Sequence, residues 1–118
     1  MSNTALSLTK SAAAGQAVTN YRKAFSGDET FEFTPERLES CMLIITNTQA
    51  AQRTFTVKKG NGSASGIGDK TIVCAAGNST AQLGVLSGLD SARFVNASGK
   101  VEVSIPSSTT GFIQVCQL

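Results

Sequence analysis

The chain has 118 residues, of which 41% are hydrophobic and 15% charged, and its formal net charge is +2. That length bounds it to one domain, and that hydrophobic share excludes a disordered composition. The charge excludes a nucleic-acid footprint, which needs a clustered basic stripe with stacking aromatics; Arg22-Lys23 and Lys58-Lys59 are the strong basic pairs here.

A surface poor in charge and rich in Ser, Thr, Asn, Gln and Gly suits an extracellular domain or a face buried in an assembly. Residues 1–28 differ from the rest. Thr4-Ala5-Leu6-Ser7-Leu8-Thr9 alternates polar and apolar residues, so it could add as a strand to a sheet edge. It could donate that strand to a neighbour or cover its own edge. Ala14, Val18, Tyr21 and Phe25 then recur at helical spacing. Gly15, Thr19 and Asn20 oppose a helix. The segment reads as an extended N-terminal arm that could hold a short helix, closed by the turn Ser26-Gly27-Asp28. Residues 29–118 read as the folded domain.

From Glu29 the strand signal is clear. Phe31 and Phe33 alternate with Thr30, Glu32 and Thr34. Thr34 as N-cap and Pro35 at the first helical position predict one helical turn over the segment PERLES. Cys41 to Ile45 is continuously apolar and predicts a central strand buried on both faces. Asn47 to Gln52 is a turn. Thr54 to Val57 is a strand ending at Lys58-Lys59, and a long loop runs from Gly60 to Asp69. Lys70–Ala75, Thr80–Leu86 and Ala92–Val95 are the next expected strands. Asn96-Ala97-Ser98-Gly99 reads as a hairpin loop. Val101, Val103 and Ile105 face inward on the cleanest alternation in the chain, and Phe112–Cys116 forms the last strand. The expected fold is all-β: a seven- to eight-stranded antiparallel β-sandwich or small barrel with an extended N-terminal arm.

The sequence offers little reactive chemistry. Histidine is absent, which removes the usual general base and any Ser-His or Cys-His nucleophile. The carboxylates Asp28, Glu29, Glu32, Glu36, Glu39, Asp69, Asp90 and Glu102 mostly sit at turns or on polar strand positions, where solvated carboxylates belong. Asp28-Glu29 and Asp69 are too sparse for calcium. Cys41, Cys74 and Cys116 lack C-x-x-C spacing and lie in apolar runs, so they read as buried free thiols suited to a reducing cytosol. The glycine loop with Lys70-Thr71 fails as a phosphate loop, because Asp69 precedes the lysine and no helix pattern follows. The expectation is therefore no enzyme, no cofactor and no metal. No signal peptide and no apolar run of membrane-spanning length are expected either. The sequons at Asn61, Asn78 and Asn96 read as turn asparagines.

Several stretches carry a resemblance. They are LIITNT at 43–48, RTFTVKKGNG at 53–62, GIGDKTIV at 66–73 and AAGNSTAQLGVLSGLDSARFVNASGKVEVSI at 75–105. In these the chain resembles small virion proteins of tailed bacteriophages of the capsid decoration, cement or head-fibre type. The Ala76-Gly77 turn and the entry Ser91-Ala92-Arg93-Phe94 into a strand belong to the same pattern, which covers about two-thirds of the chain.

The resemblance implies a β-sandwich bound to the outside of an icosahedral head, assembled in the bacterial cytoplasm. The implied partners are the major capsid protein and further copies of the chain, a trimer being favoured, with no nucleic acid and no membrane. Leu6, Leu8, Lys58, Lys59, Asn61, Ser63 and Ile67 are the candidate subunit contacts, from the arm and the glycine loop. Two other readings stay open. One is a carbohydrate- or receptor-binding module on a fibre or tail, which the lack of Trp and the single Tyr disfavour. The other is a head–tail connector or tail subunit.

Overall fold

The computed structural model describes residues 4–6, 8–10, 23–77, 82–87 and 89–117. Ten strand segments appear among them: β1 (Thr4–Ala5), β2 (Leu8–Lys10), β3 (Lys23–Phe25), β4 (Glu29–Phe33), β5 (Cys41–Asn47), β6 (Arg53–Val57), β7 (Lys70–Cys74), β8 (Gln82–Ser87), β9 (Val101–Ile105) and β10 (Gly111–Gln117). One α-helical turn, α1 (Ser91–Phe94), precedes β9.

The strands form two sheets. The first has the order β1-β4-β9-β6-β7 and the second β2-β10-β5-β8, with β3 also paired to β10. The all-β expectation holds, and the sheets do not close into a barrel. The purely antiparallel expectation does not hold. β1 runs parallel to β4, with Thr4 opposite Phe31, and β2 runs parallel to β10, with Leu8 opposite Val115. Both exceptions come from the first ten residues. The chain crosses from one sheet to the other after Leu6, so each strand serves a different sheet. Thus the described part of the arm covers edges of its own domain. The helical spacing over Ala14, Val18 and Tyr21 lies outside the described residues, and Phe25 belongs to β3.

Alternation decides which side chains meet. β4 and β9 pair with Phe31 opposite Val103 and Phe33 opposite Val101, and all four are buried. Phe55 and Val57 on β6 and Ile72 and Cys74 on β7 continue that inner face. Cys41, Leu43 and Ile45 on β5 face them from the second sheet, with Ile113 and Val115 on β10. Each such side chain contributes about 1.5–3 kcal/mol by leaving water. Phe25 fastens the aromatic part of the core. Its ring centroid lies 5.8 Å from that of Phe55 and 6.4 Å from that of Phe31, both tilted. β5 is central, between β10 and β8, as its apolar run predicts. Its faces differ, however: Cys41, Leu43 and Ile45 are buried while Met42 and Ile44 are half-buried.

Three local expectations are corrected. Thr34 and Pro35 do not start a helix; the turn there is a 3-10 turn at Leu38–Ser40, with extended Arg37 at its cap. Leu38 is buried and pins this turn, so tertiary packing rather than the Thr-Pro signal sets its place. Residues 92–95 are not a strand. Asp90 accepts a hydrogen bond from the Ala92 amide at 2.9 Å, and this N-cap starts α1. Phe94 is buried at the other end of the turn. Asn96 to Gly99 is a turn, but it links α1 to β9 and is therefore no hairpin.

Candidate contact surface

β6 and β7 form an antiparallel pair whose last register is Val57 opposite Lys70. The loop between them is thus held at both ends by a strand ladder. It is also held along its length. The Gly60 amide donates to the Arg93 carbonyl at 2.7 Å, the Asn61 amide to Val95 at 3.1 Å and the Ala64 amide to Ala92 at 3.0 Å. The Lys58 amide donates to the Glu102 carbonyl at 2.9 Å. The loop therefore lies along α1 and the start of the turn behind it. A 3-10 turn at Ser65–Ile67 shapes its far side.

The glycines permit this approach. A Cβ on Gly60 would fall 2.1 Å from the Val95 carbonyl oxygen, and one on Gly62 would fall 2.3 Å from that of Ala92. Neither distance is compatible with a side chain. So these glycines let the loop lie directly against the chain's own backbone. The segment that follows, Lys70–Cys74, is a strand.

Arg93 locks the loop's return limb. Its Nε donates to the Gly68 carbonyl at 2.8 Å and its Nη2 to the Asp69 carbonyl at 2.9 Å. The guanidinium also lies 4.7 Å from the centroid of the Phe94 ring, within cation–π range. Asp69 closes the circuit by accepting from the Lys59 amide at 2.7 Å. On the other side of α1, the Glu39 carboxylate accepts from the Ser91 amide at 3.0 Å and from the Ser91 hydroxyl. The Ser91 hydroxyl bond is the largest cause, followed by its amide, of the fall in the Glu39 pKa from 4.5 to about 2.

The candidate residues can now be placed. Lys59, Asn61, Ser63 and Ile67 are exposed on this loop, and Lys58 is half-buried at its base. Ile67 is the most exposed large hydrophobic side chain among the described residues, at 69%. The structure therefore brings five of the seven onto one bonded loop. Leu6 is elsewhere: it is buried in its own chain's core, and its amide donates to the Glu32 carbonyl at 2.8 Å. Leu8 lies in β2 beside β10, at the margin of the second sheet. Sequence reasoning missed Arg93, Glu39 and Asp90. Asp90 carried a signal, since an Asp before Ser-Ala-Arg-Phe is an N-cap pattern. Glu39 and Arg93 carried none, because their partners lie 52 and 25 residues away for Ser91 and Gly68.

The cysteines are free: Cys41 and Cys74 are buried and Cys116 is half-buried. Burial pushes the Cys41 and Cys74 thiols above their ordinary pKa. Comparison of the chain with family models, curated proteins and solved structures finds no match.

Proposed function

We propose that this chain is a structural virion protein, which binds the outer surface of a tailed-phage capsid and stabilises it. Its partners are the major capsid protein and further copies of itself, a trimer being the favoured assembly. The proposal rests on the turn-and-strand resemblance given above. The observation that supports it most is the display of Lys59, Asn61, Ser63 and Ile67 on a loop fixed by backbone bonds to α1. A preordered loop loses little entropy on docking, and an exposed aliphatic on the same loop as an exposed lysine suits an interface with an apolar centre and a charged rim.

The test is co-sedimentation of the purified protein with undecorated phage heads. The wild type should saturate the heads. The double variant Lys59→Glu, Ile67→Asp should keep its melting temperature and lose occupancy at least tenfold. Wild-type protein that stays in the supernatant, or a variant that decorates fully, would sink the proposal. Removing the arm is a poorer test, because Leu6 is part of the core.

A further inference from the structure

We propose that the bond between Asn61 and Gly62 is a self-modification site, at which the Asn61 side chain cyclises onto the backbone and is converted to a carboxylate. This inference is independent of the capsid reading. The chemistry is general to asparagine: the following amide nitrogen attacks the side-chain carbonyl carbon. Here the Gly62 nitrogen would form a bond to Asn61 Cγ, and the Cγ–Nδ2 bond would break. Nδ2 leaves as ammonia, taking up the proton lost from the Gly62 amide through solvent. Water then opens the cyclic imide. Opening at the former side-chain carbonyl gives an aspartate, and opening at the backbone carbonyl gives the isoaspartyl linkage. No oxidant or cofactor is needed.

Four features of the loop favour the reaction at this position. First, residue 62 has no Cβ to hinder attack, and the contact with Ala92 requires that glycine. Second, the Gly62 amide makes no hydrogen bond among the described residues, so its proton can be removed. Third, the leaving nitrogen Nδ2 of Asn61 has no partner among them either. Fourth, the Ala97 amide donates to Asn61 Oδ1 at 3.0 Å. That donor points at the oxygen on which negative charge builds in the tetrahedral intermediate, the placement that an oxyanion hole uses.

The other described asparagines serve as internal controls. Asn47 is fully buried and its Nδ2 donates to the Ala51 and Ala75 carbonyls at 3.1 and 2.9 Å. Asn96 is followed by Ala97, and its Nδ2 donates to Glu102 Oε1 at 3.4 Å. Both leaving groups are tethered. The product at 61 keeps the fold's requirements: an aspartate oxygen still accepts from the Ala97 amide. It takes one unit from the formal net charge of +2 and puts that carboxylate in the same loop as Lys58 and Lys59. An isoaspartyl product would lengthen the backbone by one bond where Gly62 meets Ala92, so the fold favours aspartate.

Peptide mass spectrometry on the intact protein, aged at mildly alkaline pH, tests this. The one-dalton gain should appear at Asn61 well before Asn47 or Asn96 and should quicken with rising pH. Ala97→Pro isolates the fourth feature. Ala97 is the second residue of the turn closed by the Gly99 amide on the Asn96 carbonyl, a position that accepts proline while losing its N–H. This variant should melt like the wild type and be modified several-fold more slowly. As a second measurement, the wild-type chain unfolded in urea should be modified no faster than the native protein. A native protein without a gain at Asn61, a gain no earlier there than at Asn96, faster modification in urea, or a folded Ala97→Pro variant that keeps the wild-type rate would each overturn the assignment.

Discussion

Asn47 shows how much one side chain can hold. It is fully buried at the end of β5. Besides its bonds to Ala51 and Ala75, its Oδ1 accepts from the Gln49 amide at 3.0 Å. One amide thus ties the turn after β5 to the chain leaving β7. Asn47→Ala should cost about 2–4 kcal/mol, since it deletes three hydrogen bonds and leaves a gap where a fully buried side chain stood, and urea denaturation would measure it. Asn47→Asp should not rescue, because a carboxylate cannot donate to those carbonyls.

Glu39 makes a prediction of a different kind. Its folded pKa of about 2 lies below the free value of 4.5, so folding favours its ionised form. The contribution is therefore complete above pH 4.5 and is lost as pH falls towards 2. The melting temperature of Glu39→Gln should lie below that of the wild type at neutral pH, and the gap should close over that acid range. A gap that stays constant down to pH 2 would remove Glu39 as the cause.

At the scale of elements, α1 and the loop from Lys58 to Asp69 behave as one piece, with Arg93 as its fastener. Arg93→Ala should cost about 1–2 kcal/mol, because two bonds from a charged donor are lost at a partly exposed site. The clearer readout is local: amide exchange at Gly60, Asn61 and Ala64 should speed up while the β4–β9 pair keeps its protection. Arg93→Lys should not restore it, since one ammonium lacks the planar fork that serves two carbonyls.

This is also where sequence reading met its limit. The strands β4, β6, β7, β9 and β10 were legible, because alternation with Phe, Val and Ile reports a half-buried strand from within five to seven residues. α1 was not. Ala92-Arg93-Phe94-Val95 has strand-like composition, and its helical form depends on Asp90 capping it and on Gly60 and Gly62 lying against it. The same holds for the contact loop. Its glycines were visible, but the backbone they make room for lies some thirty residues further on. Leu6 read as a candidate subunit contact for a related reason: alternation shows that a strand forms and does not show whose edge it joins.

For the whole molecule, stability comes mainly from one core shared by two sheets. Phe55 stands near its middle, fully buried and against the Phe25 ring. Phe55→Ala should cost about 3–5 kcal/mol through lost burial and the cavity left behind. If the two sheets are one cooperative unit, both should unfold in a single transition, with exchange protection falling together on β5 and β9. A Phe55→Ala protein that loses protection only in the first sheet would show that the sheets melt separately.

β10 has more consequence than its place late in the chain suggests. It is the strand on which β2, β3 and β5 all lie, so the second sheet has no axis until residues 111–117 exist. During synthesis β5 can pair only with β8, and the opening strands β2 and β3 have nowhere to dock. β2 and β3 precede every other strand of the second sheet and are seated against the last one. A ribosome that stalls anywhere before Gly111 therefore carries a half-built sheet with the apolar edge of β5 uncovered. A nascent chain of this kind should engage chaperones throughout translation and leave them only after β10 emerges.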